Sequence, residues 1–204
     1  MGSTRFPGKV MADLDGKPLI GHLVSETRKC GGINEIVFAI PEEDIHSELG
    51  EYLHRFTEQY MLEKTGHIMN RKIRVIAGPE QNVAERFRIA LDECPCDYFI
   101  RICADAPLIK AKTIHSLIHN LTTSAVVPCA SRSTHAVWNP CDLTEIREGL
   151  PQLVKTEAFL KALPFFDDYD REHVTTFFTR RLVVDTPADL DYVRRWHEFS
   201  KLLS

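Results

Sequence analysis

The chain has 204 residues, 44% hydrophobic and 26% charged, which excludes an intrinsically disordered chain. Its 25 basic and 29 acidic side chains give a net charge of −4, so a generally basic nucleic-acid coat protein is excluded and no nucleic-acid partner is expected. The length predicts one domain over residues 1–204, able to bury a core without a disulfide or structural metal. Apolar runs such as Ile36–Ile40 are far too short to span a bilayer. No apolar stretch follows Arg5 and Lys9, so a signal peptide is not expected. The expected location is the cytoplasm, away from membranes. There, Cys30, Cys94, Cys96, Cys103, Cys129 and Cys141 are read as free thiols. Cys94-Pro95-Cys96 is shorter than Cys-x-x-Cys and has no second pair at zinc-site spacing.

In chain order, Pro18 is predicted as the first residue of a helix reaching Lys29 and stopped by Gly31-Gly32. Glu35–Ile40 reads as a buried strand ending at Pro41. Glu42–Lys64 holds one long helix or two short ones, with Gly50 as the point of doubt. Ile73–Ala77 is a second strand, closed by Gly78-Pro79. Asn82 can cap a helix to Asp92. Asp97–Cys103 and Ser124–Pro128 read as strands, and Lys112–Asn120 and Thr156–Leu163 as helices. Arg181–Val184 reads as the last strand. The final helix opens with Thr186 as N-cap, Pro187 at the first position and Asp189 at the third.

Strands that are apolar without interruption, alternating with helices, predict an α/β fold of three layers: a mostly parallel sheet with helices on both faces. Ligands in such folds lie at the carboxyl ends of the strands. The loops after Ala77, Cys103 and Val184, and the segment before Met11, are therefore where chemistry is expected.

Gly2-Ser3-Thr4-Arg5-Phe6-Pro7-Gly8-Lys9 is a small-residue turn with two cations. Small residues let backbone N–H groups approach an anion, and Arg and Lys neutralise it. It is not a Walker A loop, because five residues separate Gly2 from Gly8 and Val10 stands where a magnesium-binding hydroxyl would be. By composition alone it reads as an N-terminal tail with incidental charges.

The same turn resembles the signature loop of the CMP-sugar synthetases, the acylneuraminate and KDO cytidylyltransferases, most nearly their spore-coat polysaccharide branch. Further segments share the resemblance: Asp15-Gly16-Lys17-Pro18-Leu19-Ile20, Gly78-Pro79-Glu80-Gln81-Asn82-Val83, Arg101-Ile102-Cys103-Ala104-Asp105-Ala106-Pro107-Leu108, Arg171-Glu172-His173-Val174-Thr175 and Val184-Asp185-Thr186-Pro187-Ala188-Asp189-Leu190. They run in the family's order over nearly the whole chain. The resemblance implies a nucleotide-diphospho-sugar transferase-like, Rossmann-like fold. It also implies transfer of CMP from CTP to a sugar, an acidic one in this branch, with release of pyrophosphate for surface polysaccharide synthesis.

It implies roles as well. Asp105 and Asp185 would bind Mg2+. Arg5 and Lys9 would act on the triphosphate and the departing pyrophosphate, with backbone contacts from Gly2 and Ser3. Asn82 would lie near the nucleotide, although helix capping explains it equally well. Arg171 and His173 would meet the sugar, or else mark a helix start or subunit contact. Arg86 reads as solvated, and His115 and His119 as a solvated helix face. Family members are often dimers, and Thr134–Leu153 is where an interface is expected.

The sequence departs from the family in three places. The family has a strand and an Ala-Arg pair before the loop, where this sequence starts at Met1, so the first strand of the fold is expected to be missing from it, through an internal start, a truncation or a different closure of the remaining strands. The family's Gly-Leu-Asp-x-Glu falls at Gly149-Leu150-Pro151-Gln152-Leu153, without either acid. An Asp-Asp pair has become Gln81-Asn82, and Ala104 replaces a glycine. These departures leave room for a related nucleotidyltransferase with another nucleotide or acceptor, or for a non-catalytic nucleotide-binding paralogue.

Overall fold

In a computed structural model, residues 8–62, 72–123, 151–179, 182 and 184–202 are described. The predicted strand at 124–128 and most of the expected interface at 134–153 lie outside them.

The described chain begins with a single 3-10 turn, Lys9–Met11, preceded by Gly8 in the left-handed region at φ 69°. Two short strands, β1 (Asp13–Leu14) and β2 (Lys17–Pro18), then pair antiparallel. The residues between them, Asp15 and Gly16, have φ of 52° and 77°. Two successive left-handed residues make the tight hairpin turn that matches strand twist. Helix α1 (Leu19–Thr27) starts one residue later than predicted, because Pro18 keeps an extended ψ of 148° and belongs to the hairpin. It also ends at Thr27 rather than Lys29.

Strands β3 (Glu35–Pro41) and β4 (Lys72–Gly78) pair in parallel, from Glu35 opposite Lys72 to Pro41 opposite Gly78. Between them stand a 3-10 turn, Glu42–Asp44, and helix α2 (Glu48–Leu62). The long segment is therefore a turn and a helix, and it breaks before Gly50 rather than at it. A Cβ on Gly50 would meet the Ile45 carbonyl oxygen at 2.0 Å, so the turn can fold against the helix start only because residue 50 is glycine.

Alternation along these strands divides the side chains between two layers. Phe38, Ile40 and Val75 pack with Ile20, Leu23 and Val24 of α1 and Leu49 and Leu53 of α2. On the opposite face, Val37 and Ile76 pack against Ile89 and Ala90 of helix α3 (Val83–Glu93). The sheet is covered on both faces, as continuous apolar strands require.

Strand β5 (Tyr98–Arg101) is shorter than predicted and pairs antiparallel with β6 (Gln152–Lys155), which the sequence reading missed. Ile100 joins the α1 and α2 layer, whereas Phe99 faces an aromatic core. That core gathers Phe159 of α5 (Thr156–Ala162), Phe166, Phe177 and Phe178 of α7 (Thr176–Thr179), and Tyr192, Trp196 and Phe199 of α8 (Pro187–Lys201). Helices α4 (Ala111–Thr123) and α6 (Asp168–Glu172) complete the described helices. Ile114 of α4 is fully buried in the α1 and α2 layer.

The expected strand at Arg181–Val184 is not borne out at its described positions. Leu182 and Val184 are 45% and 49% exposed and lie in no strand. Apolar character there had predicted burial, but no described element covers them. Cys30, Cys94, Cys96 and Cys103 are free thiols. Among the described residues, no helix is long and apolar enough to cross a membrane.

Candidate active site

Two of the residues named from sequence come together. Lys9 Nζ donates to Asp105 Oδ2, closing an ion pair between residues 96 apart. Their backbones rise from one apolar cluster. Val10 and Met11, next to Lys9, pack against it, and so do Ile102, Ala104 and Ala106, which bracket Asp105. The turn that presents Asp105 is closed by the Ala106 amide donating to the Cys103 carbonyl at 3.1 Å. On the other side, the Ala12 amide bonds the Lys9 carbonyl at 3.0 Å, and the Leu19 amide bonds that of Ala12 at 3.0 Å. The hairpin thereby ties the Lys9 turn to the start of α1. The Cβ of Ala104 packs on the core, so this departure from the family's glycine is used in packing.

The remaining candidates are placed separately. Gly2, Ser3 and Arg5 lie outside the described residues. Asp185 is exposed, and no hydrogen bond or ion pair reaches its carboxylate among the described residues. Its amide donates to Asp189 Oδ2 at 3.2 Å, beside the capping box that Thr186 and Asp189 form at the start of α8. These bonds from Thr186 hold the Asp189 carboxyl below the usual carboxylate range. Asn82 is the predicted cap of α3, its Oδ1 accepting from the Glu85 amide at 3.0 Å. Arg171 and His173 are exposed at the end of α6. The His173 ring lies 4.4 Å from that of Tyr169, and Arg171 Nε donates to the Phe166 carbonyl. The base of α6 is firm. Asp170, 0% exposed, accepts from Thr176 Oγ1 at 2.8 Å and Arg195 Nη1 at 3.1 Å.

The segment without its acids also has a definite place. Leu153 is 2% exposed in β6, so an acid at that position would face the core. Gln152 Oε1 accepts from Arg101 Nη1 at 2.8 Å and from Thr175 Oγ1 at 2.9 Å. One amide thus joins the Asp105 segment to the His173 segment.

Arg86 departs from its expected solvated position. A Cβ added to Gly78 would lie 2.7 Å from Arg86 Cγ, and Nε and Nη1 are buried with no hydrogen bond among the described residues. Burial weakens the guanidinium's hold on its proton, against the pull of Glu80, Asp44 and Glu43. Helical spacing places Arg86 on α3 but says nothing of the strand end it packs beneath. Among the described residues, no group of three or more His, Cys, Asp or Glu is gathered to hold a metal.

A family profile described as cytidylyltransferase matches residues 1–183. The chain belongs to that family. A 3-deoxy-manno-octulosonate cytidylyltransferase of Agrobacterium fabrum is 26% identical over 225 residues, covering 99% of this chain and 79% of the relative. The chain spans about half the length of other curated relatives with the same description: 42% of that of Geobacter metallireducens, at 25% identity over 61% of this chain, and 54% of that of Chloroherpeton thalassium, at 27% over 75%. Among solved structures, a cytidylyltransferase from Leptospira borgpetersenii superposes with a TM-score of 0.61 at 18% identity, covering 99% of this chain and 91% of the other. A CMP:2-keto-3-deoxy-manno-octonic acid synthetase complexed with CTP superposes at 0.56 with 15% identity, covering 97% and 94%. The fold of this cytidylyltransferase-family chain is the fold of these structures.

Proposed function

We propose that the chain is a magnesium-dependent cytidylyltransferase. It moves CMP from CTP to an acidic sugar and releases pyrophosphate, in the cytoplasm, as a step toward a surface polysaccharide. The observation that supports this reading is the meeting of Lys9 with Asp105, a cation and a carboxylate from the two separate segments that the family resemblance assigns to phosphate and metal. The description shared by the curated relatives favours 3-deoxy-manno-octulosonate as the sugar.

In this reaction a sugar hydroxyl oxygen bonds to the α-phosphorus. The bond from that phosphorus to the bridging oxygen breaks, and pyrophosphate leaves with the electron pair. Such a step depends on in-line placement and neutralised charge more than on a protein nucleophile. Magnesium takes one or two carboxylates together with phosphates and waters. Asp105 fits this, since its exposed carboxylate already accepts a cation, the Lys9 ammonium. Asp105, with Asp185 as a second ligand, would hold the ion, which when bound neutralises phosphate charge. Arg5 and Lys9 grip the triphosphate and the leaving pyrophosphate, Arg by paired hydrogen bonds and Lys as a point charge. Gly2 and Ser3 offer backbone N–H groups, and the Asn82 amide faces the nucleotide. Arg171 and His173 receive the carboxylate of the sugar.

Calorimetric titration of Mg-CTP tests the reading, followed by pyrophosphate release with 3-deoxy-manno-octulosonate. Binding that is lost in Asp105→Ala supports it. Absence of CTP binding, or binding indifferent to that substitution, overturns it. The core position of Leu153 favours one second reading, a related nucleotidyltransferase with a different acceptor or nucleotide. Turnover with UTP, GTP or ATP in place of CTP would establish it.

A further inference from the structure

Arg86 takes no part in the grip on phosphate and sugar proposed above. It lies on the first turn of α3, wedged beneath Gly78 where β4 ends, with Nε and Nη1 buried and unbonded among the described residues. A guanidinium keeps its charge in proteins, so it does not escape this situation by losing a proton. Buried donors left unmade cost free energy, and more when the group is charged. A free protein that carries this cost at the carboxyl end of parallel strands, where open α/β sheets take ligands, is set up for an acceptor brought from outside.

Charge selects the kind of acceptor. Glu80 in the loop after β4, and Asp44 and Glu43 in the turn after β3, all act on the Arg86 guanidinium. Together these three carboxylates carry more charge than the one guanidinium on which they act. A phosphate or carboxylate is repelled there, and a neutral oxygen is not. Nucleoside carbonyl and hydroxyl oxygens, and sugar hydroxyls, meet that condition.

We infer that Arg86 is a specificity-determining residue whose buried Nε and Nη1 donate to a neutral oxygen of the bound substrate. The inference rests on the nucleotidyltransferase reading and adds to it a contact outside the phosphate grip. It makes a paired prediction, because removing two buried donors that have no hydrogen bond among the described residues relieves the free protein while depriving the complex.

The test compares wild type, Arg86→Met and Arg86→Lys, in urea unfolding and in calorimetric titrations of cytidine, CMP, CTP and 3-deoxy-manno-octulosonate. The Met variant is expected to unfold at the same or a higher urea concentration than wild type and to lose at least about tenfold in affinity. A loss shared equally by cytidine, CMP and CTP places the acceptor on the nucleoside, a loss for the sugar alone places it there, and a loss for CMP and CTP that cytidine does not share overturns the inference. The Lys variant, a point charge on a different stem, does not restore the affinity. A lower unfolding midpoint with unchanged affinities overturns the inference and makes Arg86 a structural counter-ion to the three acids. A larger loss for CTP than for CMP also overturns it, since the contact is then to phosphate. A wild type that binds none of the probes overturns the proposed function instead, whereas affinities retained by the Met variant sink the Arg86 inference alone.

Discussion

The Lys9 ammonium rests on Asp105 Oδ2, so each of these residues occupies the other. Their side chains are 35% and 40% exposed. Ion pairs this open contribute about 0.2–1 kcal/mol, which is weak enough for ligands to part them. On the proposed roles, a metal ion would compete with Lys9 for the carboxylate and a triphosphate would compete with Asp105 for the ammonium, so that binding of either one would free the group that the other needs.

Lys9→Met should therefore have opposite effects on the two ligands. Affinity for Mn2+ alone, followed by paramagnetic resonance, should rise by up to about fivefold as Asp105 is released. Affinity for CTP should fall by about tenfold or more, since the proposed charge-assisted contact to phosphate would be gone. An Mn2+ affinity that does not move would show that the pair does not guard the carboxylate.

Arg195→Met should destabilise the fold by about 3–5 kcal/mol in denaturant unfolding, because it takes an ion-pair partner away from the buried Asp170 carboxylate. Arg195 bonds Asp170 at 3.1 Å and Asp167 at 2.7 Å, and Asp170 is 0% exposed. Replacing Asp170 by Asn in the same background should recover part of the loss. No recovery would mean that the cost arises from lost packing of Arg195 against Phe177 and Tyr192 rather than from the stranded charge.

Two glycines give a matched comparison. A methyl on Gly50 would overlap the Ile45 and Asp44 carbonyl oxygens, at 2.0 and 2.4 Å, whereas one on Gly31 meets nothing within 4 Å. Gly50→Ala should lower stability by about 1–3 kcal/mol through overpacking. Gly31→Ala should stay within about 0.5 kcal/mol of wild type. Thermal melts of equal midpoint for the two variants would contradict the close packing of the turn on α2.

Burial, with the Glu35 carboxylate beside it, pushes the Cys94 thiol up to about 11. Between the ordinary thiol range and that value, the folded chain keeps a proton that the unfolded chain has lost. Stability from this group is fully present below the ordinary range and is lost as pH rises through 11. Urea unfolding should therefore show a decline of about 1–2 kcal/mol between pH 8 and pH 11 that is absent in Cys94→Ala. A parallel decline in that variant would assign the effect to other groups.

Much of the scaffold was legible from short stretches of sequence. Glu35–Ile40 and Ile73–Ala77 announced themselves by unbroken apolar character, which a strand covered on both faces requires. Asn82 and Thr186 announced helix starts because a cap needs one side chain and the amide three residues on. The hairpin is equally local, since Asp15-Gly16 is the kind of pair its left-handed turn requires. β6 was harder. Gln152–Lys155 has no strong alternation, and it is a strand because Phe99 and its neighbours offer an edge to pair with. Leu182 and Val184 failed in the opposite sense, being apolar without a described surface to cover them.

By itself the sequence determined the β3 and β4 strands, the helix starts capped by Asn82 and Thr186, and the residue types offered at each loop, because periodicity and capping act within a turn or two of chain. Tertiary structure alone decided which distant groups meet. It set Lys9 on Asp105, gave Gln152 both Arg101 and Thr175, and drove Arg86 beneath Gly78. Such meetings depend on how strands cross and layers stack, and a side chain's burial is a property of what arrives on top of it from elsewhere in the chain.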